Sequence, residues 1–269
     1  MASKVVFLGA AGDHVVFGKQ IRGSGGFVVQ ADGIQMHFDP GPGTLVRNRE
    51  FQINPRENVA IFVSHAHLNH CNDVNALIAA TTANCLDHNC VLVAPKSVVA
   101  GYEGEHSILT EFHKNGLERI IQVEKGNRVG INKVEVVVLP TVHSDKDGVG
   151  YKLITSRFTL VYSGDTEYFP EMIDLYKGAE IIVLNVQEPF GKHEPGHLSA
   201  DDAVKIFKEL KPKLGVVTHF GAKMIMADPM MVAREIQTRV GNVQVMAAKD
   251  GLMIDPMTIL IALKRDFSL

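Results

Sequence analysis

The sequence predicts an α/β fold: two packed β sheets with helices on their outer faces, arranged as one domain over residues 1–269. Three observations carry the prediction. Short β-branched runs recur along the whole chain, each stopped by Gly, Pro, Asp or His. Strands dominate the first half, and strands alternate with helical segments in the second. No linker or low-complexity stretch divides the halves, and 269 residues at 46% hydrophobic and 21% charged suffice for a sizeable core.

Residues 4–8 form the first predicted strand, running into the tight loop Gly9-Ala10-Ala11-Gly12. Residues 27–30 and 34–38 flank Asp32-Gly33, a strong hairpin signal because both turn positions tolerate positive φ. Pro40, Gly41, Pro42 and Gly43 then stop the second of these strands just after Asp39. Residues 59–63 are uniformly apolar and predict a buried strand. Residues 69–81 predict a helix, with Val74, Leu77 and Ile78 on one face. A strand over 91–94 is closed by Pro95, and residues 97–118 carry only a weak, partly helical pattern.

Strands follow over 120–123, 133–139, 149–154 and 158–162, the last ending at Ser163-Gly164-Asp165. A short helix is predicted over 170–176 and a buried strand over 180–184. Ser199 then starts a helix as its N-cap, with Asp202 three residues on and Ala203, Ile206, Phe207 and Leu210 on its apolar face. Pro212 ends that helix, residues 214–218 form a strand that delivers His219, and Asp228-Pro229 opens another helix. Short strands over 243–246, 252–254 and 258–263 complete the chain.

Bulk properties exclude several classes. A net charge of −3 gives no broad attraction to nucleic acid or acidic membranes. No apolar run approaches the roughly 18 residues of a membrane-spanning helix, and the start lacks the basic and apolar regions of a signal peptide. Cys71, Cys85 and Cys90 are an odd set without paired spacing, which suits a reducing cytoplasm. The oligomeric state is left open, with a homo-oligomer compatible.

The chemistry concentrates in Ser64-His65-Ala66-His67-Leu68-Asn69-His70, directly after a strand. His65 and His67 lie two apart on a non-helical turn and can share one ion, while His70 can face a second. His143, Asp165 and His219 each end a β-rich run, so a packed scaffold can bring them to the same edge.

This ordered set resembles the metallo-β-lactamase fold superfamily of metallohydrolases, whose signature is His-x-His-x-Asp-His followed by His, Asp and His. The resemblance covers essentially the whole chain and implies a four-layer αββα sandwich with the site at one edge. It also implies two divalent ions, zinc foremost, with manganese and iron as alternatives. His65, His67 and His143 would hold one ion, His70 and His219 the other, and Asp165 would bridge them. Water between two such ions is acidified toward about pH 7 and attacks an ester-like centre. Asn69 departs from the signature: it stands at the catalytic position where the family has Asp, it cannot act as a base, and it should weaken the second ion. Asp73, four residues on, is a candidate to compensate. Asp39 either supports a ligand histidine or initiates a turn.

Gly196-His197-Leu198-Ser199 resembles the histidine motif of the phosphodiesterase branch, which includes tRNA 3′-processing nucleases and cyclic-phosphate diesterases. There the histidine contacts the scissile phosphate or protonates the leaving group, so His197 is a catalytic candidate; the alternative is a loop histidine beside a helix cap. Glu188 and His193 share its loop and could touch substrate. His14, His37, His88, His106 and His113 lack a motif and are expected to be structural or solvated. Only 21 residues separate His143 from Asp165, leaving no room for the long basic arm of the tRNA nucleases. The expected substrate is therefore a small phosphodiester or phosphate-bearing ester. The alternatives are a carbon ester, such as a lactone or thioester, and a weakly catalytic metal- and ligand-binding member.

Overall fold

A computed structural model describes residues 3–101, 104 and 106–259. Among these residues the strands form two sheets. The first contains β1 (Lys4–Phe7), β2 (Phe27–Ala31), β3 (Ile34–Phe38), β4 (Asn58–Phe62), β5 (Val91–Pro95) and β6 (Arg119–Val123). The second contains β7 (Arg128–Ile131), β8 (Val134–Pro140), β9 (Val149–Ile154), β10 (Thr159–Tyr162), β11 (Ile181–Glu188), β12 (Leu198–Ser199), β13 (Leu214–Thr218) and β14 (Gln244–Ala247). A last strand, β15 (Met253–Ile254), returns to the first sheet and pairs antiparallel with β1. The strand orders are β15-β1-β2-β3-β4-β5-β6 and β14-β13-β11-β10-β9-β8-β7, with β12 attached to β11.

The hairpin between β2 and β3 turns at Asp32 and Gly33, whose φ values of 50° and 84° match the sequence expectation. Between the sheets, the rings of Phe27, Phe38 and Phe62 stack at centroid spacings of 4.8 and 4.7 Å. Tyr162 and Tyr151 meet this stack edge-on from the second sheet at 4.9 and 5.2 Å. Each such pair contributes about 0.5–1.5 kcal/mol beyond its buried area. On the far side of the first sheet, Ile61, Val63 and Leu92 pack with Val74, Leu77 and Ile78 of a helix. The far side of the second sheet is covered by the helices Ala200–Leu210 and Pro229–Val240. Gly215 admits Phe207 there, because a Cβ at that position would lie 2.6 Å from the ring. The result is the expected helix–sheet–sheet–helix arrangement.

Several predicted elements need correction. The helix expected over 69–81 is two helices, Leu68–Cys71 and Val74–Thr81. Asp73 breaks it: its backbone N–H donates to Pro40, and its carboxylate accepts from the N–H groups of Gly43 and Thr44 at 2.9 and 3.0 Å. It thereby caps an unforeseen helix, Thr44–Glu50, from a distant part of the chain. The strand expected at 133 pairs with another unforeseen element, β7, across a turn at Asn132 with φ 53°. The short helices His14–Gly18 and Ala222–Met226 were also not foreseen. The strand expected over 258–263 fails where it can be seen. Residues 256–259 are helical, because Asp255 accepts from the Met257 and Thr258 N–H groups and Pro256 follows it; residues 260–263 lie outside the described residues. Among the described residues, no helix is long and apolar enough to cross a membrane.

The topology sets the position of the site. β3 and β4 run parallel in one sheet, as do β10, β11 and β13 in the other. Asp39 follows β3, the His65–His70 segment follows β4, Asp165 follows β10, and His219 follows β13. The loop after β8 adds His143, so both sheets feed one edge of the sandwich.

Candidate metal centre

The first group consists of His65, His67 and His143, whose ring nitrogens converge. His65 Nε2 lies 2.9 Å from His67 Nδ1, and His143 Nε2 lies 3.1 Å from the same atom. Two of the rings have their other nitrogen committed. His143 Nδ1 is 2.8 Å from the Gly196 carbonyl, which can only accept, so Nδ1 carries the proton. His65 Nδ1 is 3.0 Å from Ser64 Oγ, whose own hydrogen goes to Asp39. Both Nε2 atoms therefore turn lone pairs toward His67 Nδ1. A proton on His67 Nδ1 can serve these lone pairs, and with Nδ1 unprotonated one cation among the three nitrogens serves all of them. The spacing is close to the roughly 3.3 Å edge of a tetrahedron built on Zn–N bonds of about 2.0–2.1 Å.

The second group is His70, His219 and Asp165. Asp165 Oδ2 lies 3.3 Å from His70 Nε2 and 3.2 Å from His219 Nε2. The same oxygen is 3.8 Å from His65, 3.9 Å from His197 and 4.0 Å from His143. One carboxylate oxygen thus stands among five imidazoles, in the place a ligand shared by two ions would take. Its other oxygen is held by Asn185 Nδ2 at 2.6 Å. Asp39 holds this cluster from behind, accepting from Ser64 N at 2.6 Å, Ser64 Oγ at 2.7 Å, Tyr162 OH at 2.5 Å and His70 Nδ1 at 2.8 Å. This decides between its two sequence readings in favour of support. Asp39 and His219 have φ values of 50° and 64°, strained for residues with a Cβ, as is common where a site dictates the backbone.

Burial sets most of the protonation states. It lowers the pKa of His65 well below the ordinary value, assisted by the charge of His70, and takes His219 down to about 3. It also lowers His67 and His197. Neutral imidazoles of this kind are ready ligands. His70 is the exception: burial opposes its charge, but Asp165 and Asp39 outweigh burial and push it up to about 10. Burial likewise opposes the charge of Asp165, and the surrounding histidines hold its carboxyl well below the usual range. A dication in the site would replace the His70 proton as partner of these carboxylates.

Over this centre opens a cavity of about 320 Å³, lined by His67, Asn69, Asp165, His197 and His219 together with Asp13, His14, Phe17, Leu68, Gln187 and Glu194. His197 reaches it from the loop before the Ser199–Asp202 capping box, and its buried Nδ1 has no hydrogen-bond partner. Asn69 donates from Nδ2 to the Gly12 carbonyl.

The structure thus brings His65, His67, Asn69, His70, His143, Asp165, His197 and His219 together, as the sequence implied. Asp73 is not among them, because its carboxylate is spent on the helix cap. Glu188 and His193 do not line the cavity; Glu188 is buried against the Lys223 ammonium at 3.1 Å, and Glu194 takes the lining position instead. His14, expected to be structural or solvated, lines the cavity. His37 is structural, buried with Nε2 3.1 Å from the Gly25 carbonyl. Sequence reasoning missed Asp145, which accepts from the Ala66 N–H at 2.9 Å and so fixes the turn between His65 and His67. Its one sequence signal is the His143-Ser144-Asp145 spacing. Asn185 was also missed, and it had no local signal.

Comparison with known proteins places this geometry. The beta-lactamase superfamily domain matches residues 35–220. An uncharacterized protein of Methanocaldococcus jannaschii is 29% identical over 257 residues, covering 95% of this chain and 96% of that one. A metal-dependent hydrolase of Pyrococcus furiosus is 28% identical over 63% of this chain and 70% of its own length. A ribonuclease Z of Pyrobaculum aerophilum is 24% identical over 76% of this chain and 86% of its own. Among solved structures, the metallo-beta-lactamase fold protein YhfI from Bacillus subtilis superposes with a TM-score of 0.78 at 18% identity, covering 94% of this chain and 100% of that one.

Proposed function

We propose, from the premise that this chain belongs to the beta-lactamase superfamily, that it is a metal-dependent hydrolase of small phosphodiesters, acting as a single domain. His65, His67 and His143 would hold one divalent ion, and His70, His219 and Asp165 a second. The imidazole-rich donor set favours zinc, with manganese and iron as alternatives. Ions bound there supply positive charge for a developing oxyanion and lower the pKa of attacking water.

The observation that carries the reading is the combination of His197 with the wall of its cavity. His197 Nδ1 is buried, unpartnered and 3.9 Å from Asp165 Oδ2. Burial keeps this ring neutral in the free protein, and an anionic substrate beside it would favour the protonated form that hydrogen-bonds the phosphate and passes a proton to a leaving oxygen. Among the described residues, no Lys or Arg lines the cavity, whereas Phe17 and Leu68 do. A diester with one negative charge and apolar ester groups suits such a wall. A phosphomonoester or a nucleic-acid backbone brings more charge than the lining can neutralise. The ribonuclease Z relative supports the phosphodiester class by its name, and the cavity chemistry narrows it to a small molecule. The three cysteines are free, in keeping with a cytoplasmic location. The same wall, whose fixed charges are the carboxylates of Asp13, Asp165 and Glu194, admits a neutral carbon ester, such as a lactone or thioester, as the second reading.

The test is a substrate panel on metal-loaded protein: bis-p-nitrophenyl phosphate, p-nitrophenyl phosphate and a γ-lactone. The diester should turn over fastest, and His197→Ala should lower kcat by about 10²- to 10⁴-fold with metal content unchanged. Turnover of the lactone alone would replace this reading with the second. Undiminished activity in His65→Ala would remove the metal mechanism altogether and leave a ligand-binding role.

A further inference from the structure

Asn69 is fixed by the main chain opposite it. Its Nδ2 lies 2.9 Å from the Gly12 carbonyl oxygen. A carbonyl only accepts, so the amide nitrogen, not the amide oxygen, faces Gly12. Gly12 has no freedom to yield. Its N–H donates to the Phe220 carbonyl at 2.9 Å, Phe220 N–H donates to Ala10 at 2.8 Å, and Ala11 bridges to Phe220. A Cβ on Gly12 would lie 2.4 Å from the His219 carbonyl oxygen, so the two segments touch along their backbones.

The same orientation brings Nδ2 to 3.1 Å from His219 Nε2. Asn69 then donates one N–H to Gly12 and points the other at His219 Nε2, which accepts it in the tautomer that leaves this nitrogen its lone pair. That lone pair is the one an ion beside His70 and Asp165 requires, since His70 Nε2 is 3.0 Å and Asp165 Oδ2 3.2 Å from the same atom. An incoming cation meets a hydrogen-bond donor where it needs an electron pair. In the His65–His67–His143 group the ring nitrogens face one another instead, with the Nδ1 atoms of His65 and His143 turned to Ser64 Oγ and the Gly196 carbonyl.

We infer that Asn69 makes the two halves of the centre unequal: one ion is held tightly by His65, His67 and His143, and a second is held beside His70, His219 and Asp165 only after the Asn69 amide releases His219. This rests on the reading of the site as a metal centre. It adds that the amide acts as a blocking donor, over and above its lack of negative charge.

The experiment strips the protein with a chelator and titrates zinc back into wild type, Asn69→Ala and Asn69→Asp. Calorimetry follows the titration, metal content is measured after desalting, and circular dichroism confirms the fold of each variant. Wild type should retain one ion per chain, with a second site about 100-fold weaker. Asn69→Ala removes the donor without supplying a ligand, and should tighten the second site about tenfold while leaving the first unchanged. Asn69→Asp should retain two ions. Two wild-type sites within about tenfold of each other, or a second site unmoved in Asn69→Ala, would overturn the inference and leave the metal-centre reading standing. A wild-type protein that retains no ion would overturn that reading itself.

Discussion

Asp39 shows how much of the site rests on single residues that touch no substrate. Its carboxylate collects hydrogen bonds from Ser64, Tyr162 and His70, so one side chain joins the aromatic core to the ligand histidines. The neighbouring His37 carries a different consequence. Burial drives its pKa down to about 4, against weaker opposing effects from the Gly25 carbonyl and Asp39. Above the unfolded value of 6.5 both states are neutral, and His37 has no effect on stability. Below it the unfolded chain takes a proton that the folded chain refuses, so stability falls as pH drops from 6.5 toward about 4. Urea denaturation should show a loss of about 2 kcal/mol from this group between about pH 7 and about pH 5. His37→Gln should flatten that part of the profile, and an unchanged slope would contradict the assignment. At this scale the converging cluster was legible because histidines placed at strand ends are chemically conspicuous. Asp145 and Asn185 were not, because a hydrogen bond to a residue far away in sequence leaves no local pattern.

Among the elements, the break at Asn72 and Asp73 has the widest effect. It lets one chain segment present His65, His67, Asn69 and His70 in a turn and a single helical turn, and then start again as the core-packing helix Val74–Thr81. The apolar positions that predicted one helix, Val74, Leu77 and Ile78, all lie after the break, so periodicity did not register it. Short helices such as His14–Gly18 and Ala222–Met226 span too few residues for periodicity to register. Asp73 caps Thr44–Glu50 and stands outside the His/Asp cluster, so Asp73→Ala should cost about 1 kcal/mol in chemical denaturation and leave zinc affinity unchanged. Weakened zinc binding in that variant would return Asp73 to the ligand sphere.

At the scale of the whole molecule, the layer order was legible because alternating and uniformly apolar runs disclose which strands are half-buried and which are fully buried. The return of the chain end to the opening strand was not. β15 pairs with β1, and Asp250 just before it accepts from the N–H groups of Gly23 at 2.7 Å and Ala10 at 3.3 Å. These contacts brace the loop that carries Gly12 and the cavity wall. The larger consequence comes from ligands drawn from both sheets. Residues 65–70 belong to the first sheet and residues 143, 165 and 219 to the second, so an ion between them is a removable rivet through the sandwich. Chelation should lower Tm by about 10 °C relative to the zinc-saturated protein. The melting transition should stay single, because the two sheets still share one core. In this respect the centre would resemble a disulfide that opens and closes with the supply of metal, and the strength of the joint at this edge would follow the same supply.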